Sequence, residues 1–451
     1  MKQVIMIKQQ DVPKQLPMQL SIQLPKQLFM QLSSRLIKKP SRSLKAFLLG
    51  ALLLSSLSGF AAESCHLERD VQAGSYSEIE YKRMEKIYAV IGDEQYAEAA
   101  VSLNELLKRT KNNDYVKAIA HQLLAQVEWS RERYPAALKN FETAVELNAL
   151  PDQTHYALMY QIAQLYYADK RYPEALARLD MWFCEIPEED INPLAYVLKA
   201  SIYVAEEDYR SVLTAIKSAI DLSDKPKKSW YEVKLASHYE LKQFPEAAET
   251  LEVMISHWPE NKQSWLQLSS IYVKLKQNKR GLAVLALAYS NGLLDKKSDV
   301  LQLVSLNQYL ELPYKAAVIL QKGMDDGLIE KTEKMLTQLG DTWYQAEESD
   351  KALLAFGEAG KLANDGKIDL RRGYLLADSE KWAEAGIAMN SAIKKGGIKE
   401  REIGDAWLLK GMAEFNTNEY KAARDSFGNA SRYQKTSKAA MQWIKHMNEL
   451  N

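Results

Sequence analysis

Six histidines (His66, His121, His155, His238, His257 and His446) and two cysteines (Cys65 and Cys184) are the side chains of this 451-residue chain best suited to ligate a metal or attack a substrate. No histidine has a second histidine, a cysteine or an acid at ligand spacing on one helical face, and Cys65-His66 has no second half. A metal site is therefore not expected. The chain contains no glycine-rich phosphate loop and no Gly-x-Ser-x-Gly nucleophile turn. Its many Asp and Glu residues fall on outward helical positions, where a solvated surface is the ordinary reading. These observations argue against an enzyme and against a cofactor. What chemistry remains is the cysteine pair. An even pair in an oxidising compartment suggests a disulfide between Cys65 and Cys184. The alternative is two separate thiols, with Cys184 buried beside Trp182 and Phe183, and geometry decides between them.

The rest of the sequence is organised by one repeated phrase. Ile162 to Met181 reads as the end of a helix, a tight turn and the start of a second helix. Pro173 sits in the first turn of that second helix, where a missing N–H costs nothing. The phrase recurs at Tyr134-Pro135-Ala136-Ala137, Tyr172-Pro173-Glu174-Ala175, Phe244-Pro245-Glu246-Ala247, Trp382-Ala383-Glu384-Ala385 and Tyr420-Lys421-Ala422-Ala423, with weaker copies between. The residues ending the copies fall at 99, 137, 175, 212, 247, 281, 316, 352, 385 and 423, a spacing of 33–38 residues. A period of that length is the mark of a helical-pair repeat. A large apolar residue follows four positions later, among them Phe141, Leu179, Phe356 and Phe427.

The pattern resembles the tetratricopeptide repeat (TPR) family. That family carries Trp, Leu, Gly or Ala, and Tyr on a first helix, then Ala, Phe and Ala on a second. Trp265, Leu268, Ser269 and Tyr272 match one first helix; Leu339, Gly340 and Trp343 match another; Gly373 and Gly411 supply the small contact in two more. Second helices match at Ala137, Phe141 and Ala144, at Ala352, Phe356 and Ala359, and at Ala423, Phe427 and Ala430. The resemblance implies an all-α fold: a right-handed α-solenoid of about ten TPR-like helix pairs over 78–434, closed by a C-terminal capping helix over 435–451. The register is least regular over 295–329, and the family's Pro after the second helix is clear only at Pro259.

A helix pair cannot bury its apolar face alone, so neighbours stack and the first helices line one concave surface. Projected from the register, that groove presents Gln126, Trp129, Tyr160, Gln164, Tyr167, Tyr239, Tyr344, Tyr374 and Phe415. The alternative for each aromatic is packing against the neighbouring helix. TPR proteins that grip a C-terminal carboxylate use Lys, Asn and Arg at such places, and this chain does not. Aromatics interleaved with amides suit an extended peptide or an amphipathic helix.

Residues 1–62 read as a leader. Gln-Leu recurs from Gln15 to Leu32 with no period that fits a packed element, which makes Met30 the expected start of the orderly sequence. Arg35, Lys38, Lys39, Arg42 and Lys45 then precede an apolar run of nine residues, Ala46–Leu54, and a small-residue stretch to Ala62. That is a secretory signal peptide over 30–62, with cleavage expected after Ala61 or Ala62. The alternative, a membrane anchor, meets an apolar run short of the ~20 residues a span needs. Residues 63–77 form an N-terminal segment before the repeats. The chain has 59 basic and 59 acidic residues, but the leader takes nine of the first and one of the second, leaving a mature net charge near −8. An acidic chain is a poor nucleic-acid binder. The architecture is similar to periplasmic TPR proteins of Gram-negative bacteria associated with TonB–ExbB–ExbD energy transduction. The resemblance implies protein partners, with those components as candidates; the other reading is an envelope-assembly or cell-wall scaffold.

Overall fold

The computed structural model describes residues 69, 71 and 74–449; the leader and Cys65 lie outside the described residues. Every regular element among them is helical. Ten helix pairs follow one another: α1 (Glu78–Gly92) with α2 (Tyr96–Arg109), α3 (Asp114–Ser130) with α4 (Tyr134–Glu146), α5 (Asp152–Ala168) with α6 (Tyr172–Glu185), α7 (Pro193–Ala205) with α8 (Tyr209–Asp221), α9 (Lys228–Glu240) with α10 (Phe244–His257), α11 (Lys262–Lys274) with α12 (Asn278–Ser290), α13 (Lys297–Tyr309) with α14 (Pro313–Asp325), α15 (Glu333–Gln345) with α16 (Ser349–Leu362), α17 (Lys367–Asp378) with α18 (Trp382–Lys395), and α19 (Glu400–Asn416) with α20 (Tyr420–Ala430). A last helix, α21 (Ser437–Glu449), follows. No helix among the described residues is long and apolar enough to cross a membrane. The chain forms two compact units, one up to Thr250 and one from Leu251, with the boundary inside α10. Within each unit successive helices pack on one another, which is the solenoid arrangement the period implies. The irregular stretch 295–329 holds an ordinary pair, α13 and α14.

One turn joins the helices of every pair. Glu94, Glu132, Lys170, Glu207, Lys242, Lys276, Glu311, Glu347, Glu380 and Asn418 all adopt positive φ, from 57° to 64°. Each lies five residues before the small residue that defines the repeat. The N–H of the next residue returns to a carbonyl in the last turn of the first helix, from Gln95 to Val90 through Glu419 to Glu414, at 2.7–3.0 Å. This is a Schellman closure, and it satisfies carbonyls the helix end would otherwise orphan. Side chains with a Cβ lose about 1–2 kcal/mol in that conformation, so the turn is held by packing on both sides of it rather than by local preference.

Packing between the helices of a pair follows volume. Gly340, Gly373 and Gly411 on first helices face Phe356, Met389 and Phe427 on second helices; a Cβ on each glycine would meet the opposing side chain at 2.6–2.7 Å. Where the first-helix residue at this register is larger, the residue sixteen positions on is aliphatic: Leu103 after Ile87 and Leu320 after Val304, each two buried in one cluster. In the first unit the core runs through Phe141, Met159, Ile162, Leu179, Leu198 and Ile202. In the second it runs through Leu285, Leu303, Leu320, Trp343 and Phe356. At the far end α21 lays Trp443 flat on Phe427, centroids 5.4 Å apart, and buries Ala440 and Met447. The final pair therefore does not expose its apolar face.

The glycines between successive helix pairs divide. Gly292, Gly327, Gly396 and Gly397 take positive φ. Gly366 does not. It caps α17 at φ −84°, and a Cβ there would lie 2.2 Å from the carbonyl oxygen of Ala392. Its role is close backbone approach, with its N–H donating to Gly396 O at 2.8 Å.

Candidate protein-binding surface

The three-residue turn fixes the distance between the last residues of a first helix and the opening residue of the second. An aromatic in the last turn of the first helix then meets an aromatic five residues on. Trp129 meets Tyr134 at 4.7 Å, Tyr167 meets Tyr172 at 6.0 Å, Tyr239 meets Phe244 at 5.9 Å and Phe415 meets Tyr420 at 5.5 Å, mostly edge to face. All four first partners were placed on the groove by sequence, and all four are half-buried. Phe415 is further covered by Trp443 at 5.2 Å. Each ring therefore gives part of its area to the turn.

Tyr160 is more deeply engaged. Its ring packs on Trp182 at 5.6 Å and its hydroxyl donates to Leu194 O at 3.3 Å; burial pushes its pKa up to about 12. Gln126 and Gln164 are half-buried on α3 and α5. In the second unit Tyr344 and Tyr374 are the freest of the expected set, 46% and 42% exposed. Tyr374 titrates near 12, through partial burial first and then the carboxylates of Asp405 and Glu402. Beside them Arg371 pairs with Asp341 and stands 4.7 Å over the Phe356 ring. The surface thus offers aromatic faces with charges close by.

A hollow of about 660 Å³ beside Trp129 lies outside what the register marks. Tyr134, Pro135 and Leu138 of α4 and Leu165 of α5 give it apolar walls; Lys139 and Asp169 stand at the rim. The Tyr-Pro opening of the second helix was the available signal. That residue pair punctuates the helix, and it is also a surface.

Two polar clamps tie neighbouring pairs together. The hydroxyl of Tyr166 donates to Glu142 on the preceding second helix, with Arg171 over the ring at 4.4 Å and Arg178 3.7 Å from the carboxylate. Tyr272 donates to Glu252 in the same way, with Arg280 over its ring at 4.2 Å. Burial first, then the adjacent carboxylate, raises both tyrosines to about 12.

His155 lies buried under α6, its Nε2 3.1 Å from Glu185 Oε2. Burial, then the charges of Arg69 and Arg178, pulls its pKa down to about 4 from 6.5. The unfolded chain therefore binds more protons between those values. The histidine's contribution to stability is complete above about pH 6.5 and is lost as the pH falls through 4. Burial raises Glu185, which acts in the opposite sense over part of that window. The urea midpoint of the wild type is expected to fall between pH 6.5 and 4.5, and that of His155→Leu to fall less steeply. An identical slope in both would remove His155 as the cause.

Among the described residues no group of His, Cys, Asp and Glu is arranged to hold a metal ion. Cys184 is disulfide-bonded, and Cys65, its expected partner, lies outside the described residues.

An array of helix pairs that bury their apolar faces only against one another is a repeat scaffold. Its repeats carry a known signature: the family model described as Tetratricopeptide repeat matches residues 122–182 and 370–439. These stretches, within α3 to α6 and α17 to α21, are similar to tetratricopeptide repeats. No curated protein matches the chain. Solved structures similar to it include a tetratricopeptide repeat protein from Parabacteroides merdae, 14% identical, covering 63% of this chain and 93% of that one at a TM-score of 0.33. The TPR2AB domain of yeast Sti1, in a complex with pHSP90, is 16% identical over 57% of this chain and 96% of its own, at 0.31. YrrB, a TPR protein with an unusual peptide-binding site, is 18% identical over 44% of this chain and 100% of its own, at 0.31.

Proposed function

We propose that this chain is an exported, periplasmic scaffold that binds other proteins along the surface formed by its first helices. The observation that carries this reading is the chemistry of that surface: tyrosines, a tryptophan and glutamines recur at one register position after another, and Tyr344 and Tyr374 remain open to solvent. Aromatic rings with amides between them give large contact area and adaptable hydrogen bonds, the composition of protein interfaces. Export is supported by the basic stretch and apolar run before Ala62. The specific form implied by the sequence resemblance is an accessory factor of a TonB-type energy-transduction system for outer-membrane transport. The alternative is an adaptor for outer-membrane assembly or cell-wall synthesis.

A photoreactive residue at Tyr344 or Tyr374 of the full chain, crosslinked in living cells, tests this. Capture of TonB, ExbB or ExbD is the expected result. Capture of assembly or wall-synthesis proteins establishes the alternative, and capture confined to cytosolic proteins overturns both. The N-terminus of the isolated protein is expected directly after Ala61 or Ala62.

A further inference from the structure

The described residues ahead of α1 are fixed to the edges of successive helix pairs, in order. Ser77 caps α1 through Glu80, whose carboxylate accepts from the Ser77 N–H at 2.9 Å. Asn113, between α2 and α3, donates to Ser75 O at 3.0 Å, and Tyr76 packs edge-on against Tyr115 at 5.6 Å. Gly74 lies so close to Tyr115 that a Cβ would fall 2.0 Å from its ring. Arg69 is anchored one pair further on, between α4 and α5. It donates to Asn148 Oδ1 at 2.8 Å, Asp152 Oδ1 at 2.7 Å and Leu150 O at 3.1 Å, and lies 5.7 Å from the Tyr156 ring centre. Its side chain is only 4% exposed, so these contacts are not a loose surface pair.

Following the chain backward from 77 to 69 therefore moves forward through the array, from the α2–α3 junction to the α4–α5 junction. The next junction is α6–α7, and Cys184 stands in the last turn of α6. It is the neighbour of Glu185, which reaches His155 one turn along α5 from Asp152. The four residues from 69 to 65 span at most about 13–14 Å when extended. The sequence contains two cysteines, and Cys184 is disulfide-bonded.

We propose that Cys65 and Cys184 form a disulfide, so that the chain ahead of α1, held at Arg69 and at 74–77, straps the first three helix pairs. Closure joins the two sulfurs; the two thiols give up two protons and two electrons, taken by the disulfide of a thiol–disulfide oxidoreductase, which becomes a dithiol. The strap adds a long-range tie to a repeat array whose other contacts run between neighbours, and the first pairs reach full stability only after oxidation. This inference is independent of what the first-helix surface binds.

The full chain, purified with free thiols trapped by N-ethylmaleimide at lysis and digested without reductant, is expected to yield a Cys65–Cys184 linked peptide. Its thermal midpoint is expected to fall by about 5–10 °C on reduction. Cys184→Ser should show that fall without reductant and no response to it. Cys65→Ser, which changes the other end of the tie, should behave alike, and the double variant should be no less stable than either. Arg69→Ala should speed reduction by dithiothreitol several-fold, because it frees the strap beside the bond. Alkylation of both cysteines in the wild type, a linkage to a second molecule, or an unchanged reduction rate in Arg69→Ala would each overturn the proposal.

Discussion

Gly340→Val lowers the stability of the second unit by about 2–3 kcal/mol, and adding Phe356→Leu to the same chain recovers most of the loss. The glycine faces the Phe356 ring so closely that even one added carbon lies 2.7 Å from it. Valine adds two more carbons at a site where α15 and α16 cannot separate without disturbing Leu339, Trp343 and Ala352, all buried in the same cluster. Phe356→Leu alone leaves a hollow, at a cost below the roughly 3–5 kcal/mol of a full Phe-to-Ala truncation. Together the two changes recreate a combination the protein already uses at the same register one pair earlier, Val304 on α13 and Leu320 on α14, buried in one cluster. Urea unfolding followed by tryptophan fluorescence checks this. Losses that simply add in the double variant would show that the two positions do not share one volume.

That exchange of volumes explains how the fold was legible in a sequence whose copies are so divergent. The period survives because each repeat needs a small-to-large contact at a fixed distance, and glycine with phenylalanine satisfies it as well as valine with leucine. The spacing of the small residues therefore located all ten pairs, including the pair at 297–325 where the individual residues match the family poorly. The turns were not legible. Left-handed backbone is ordinarily read from glycine or asparagine, yet nine of the ten turns place Glu or Lys there. The conformation is imposed by the two helices meeting across it.

The surface was legible in part for a related reason. Register alone identifies which residues leave the first helix on one side, and it led to Tyr344 and Tyr374, which are exposed. Register does not say what stands five residues on. Trp129, Tyr167, Tyr239 and Phe415 each meet an aromatic at that distance, so part of their area belongs to the turn. Arg69 could not be found by periodicity at all: it precedes the repeats, and its partners lie about eighty residues away.

A second large effect comes from the buried charge of α17. Asp369 is 7% exposed and occupies the place where the family pattern has a large apolar residue. It is tolerated because Lys395 of α18 donates to it at 2.6 Å, Ser391 donates at 3.0 Å, and the absence of a side chain on Gly360 leaves room: a Cβ there would lie 2.8 Å from the carboxylate. Lys395 also donates to Gly360 O, so one ammonium satisfies two elements. Lys395→Met removes the countercharge and leaves a carboxylate in a site water scarcely reaches; stability should fall by about 2–4 kcal/mol at neutral pH. The loss is mainly the penalty of an unpaired buried charge, and not the value of the pair. Asp369→Asn placed on the Lys395→Met background should therefore restore stability, because the amide is neutral and can still take the Ser391 hydrogen bond. A double variant less stable than Lys395→Met alone would mean that the lysine acts through its bond to Gly360 O, and that the carboxylate carries no penalty to relieve.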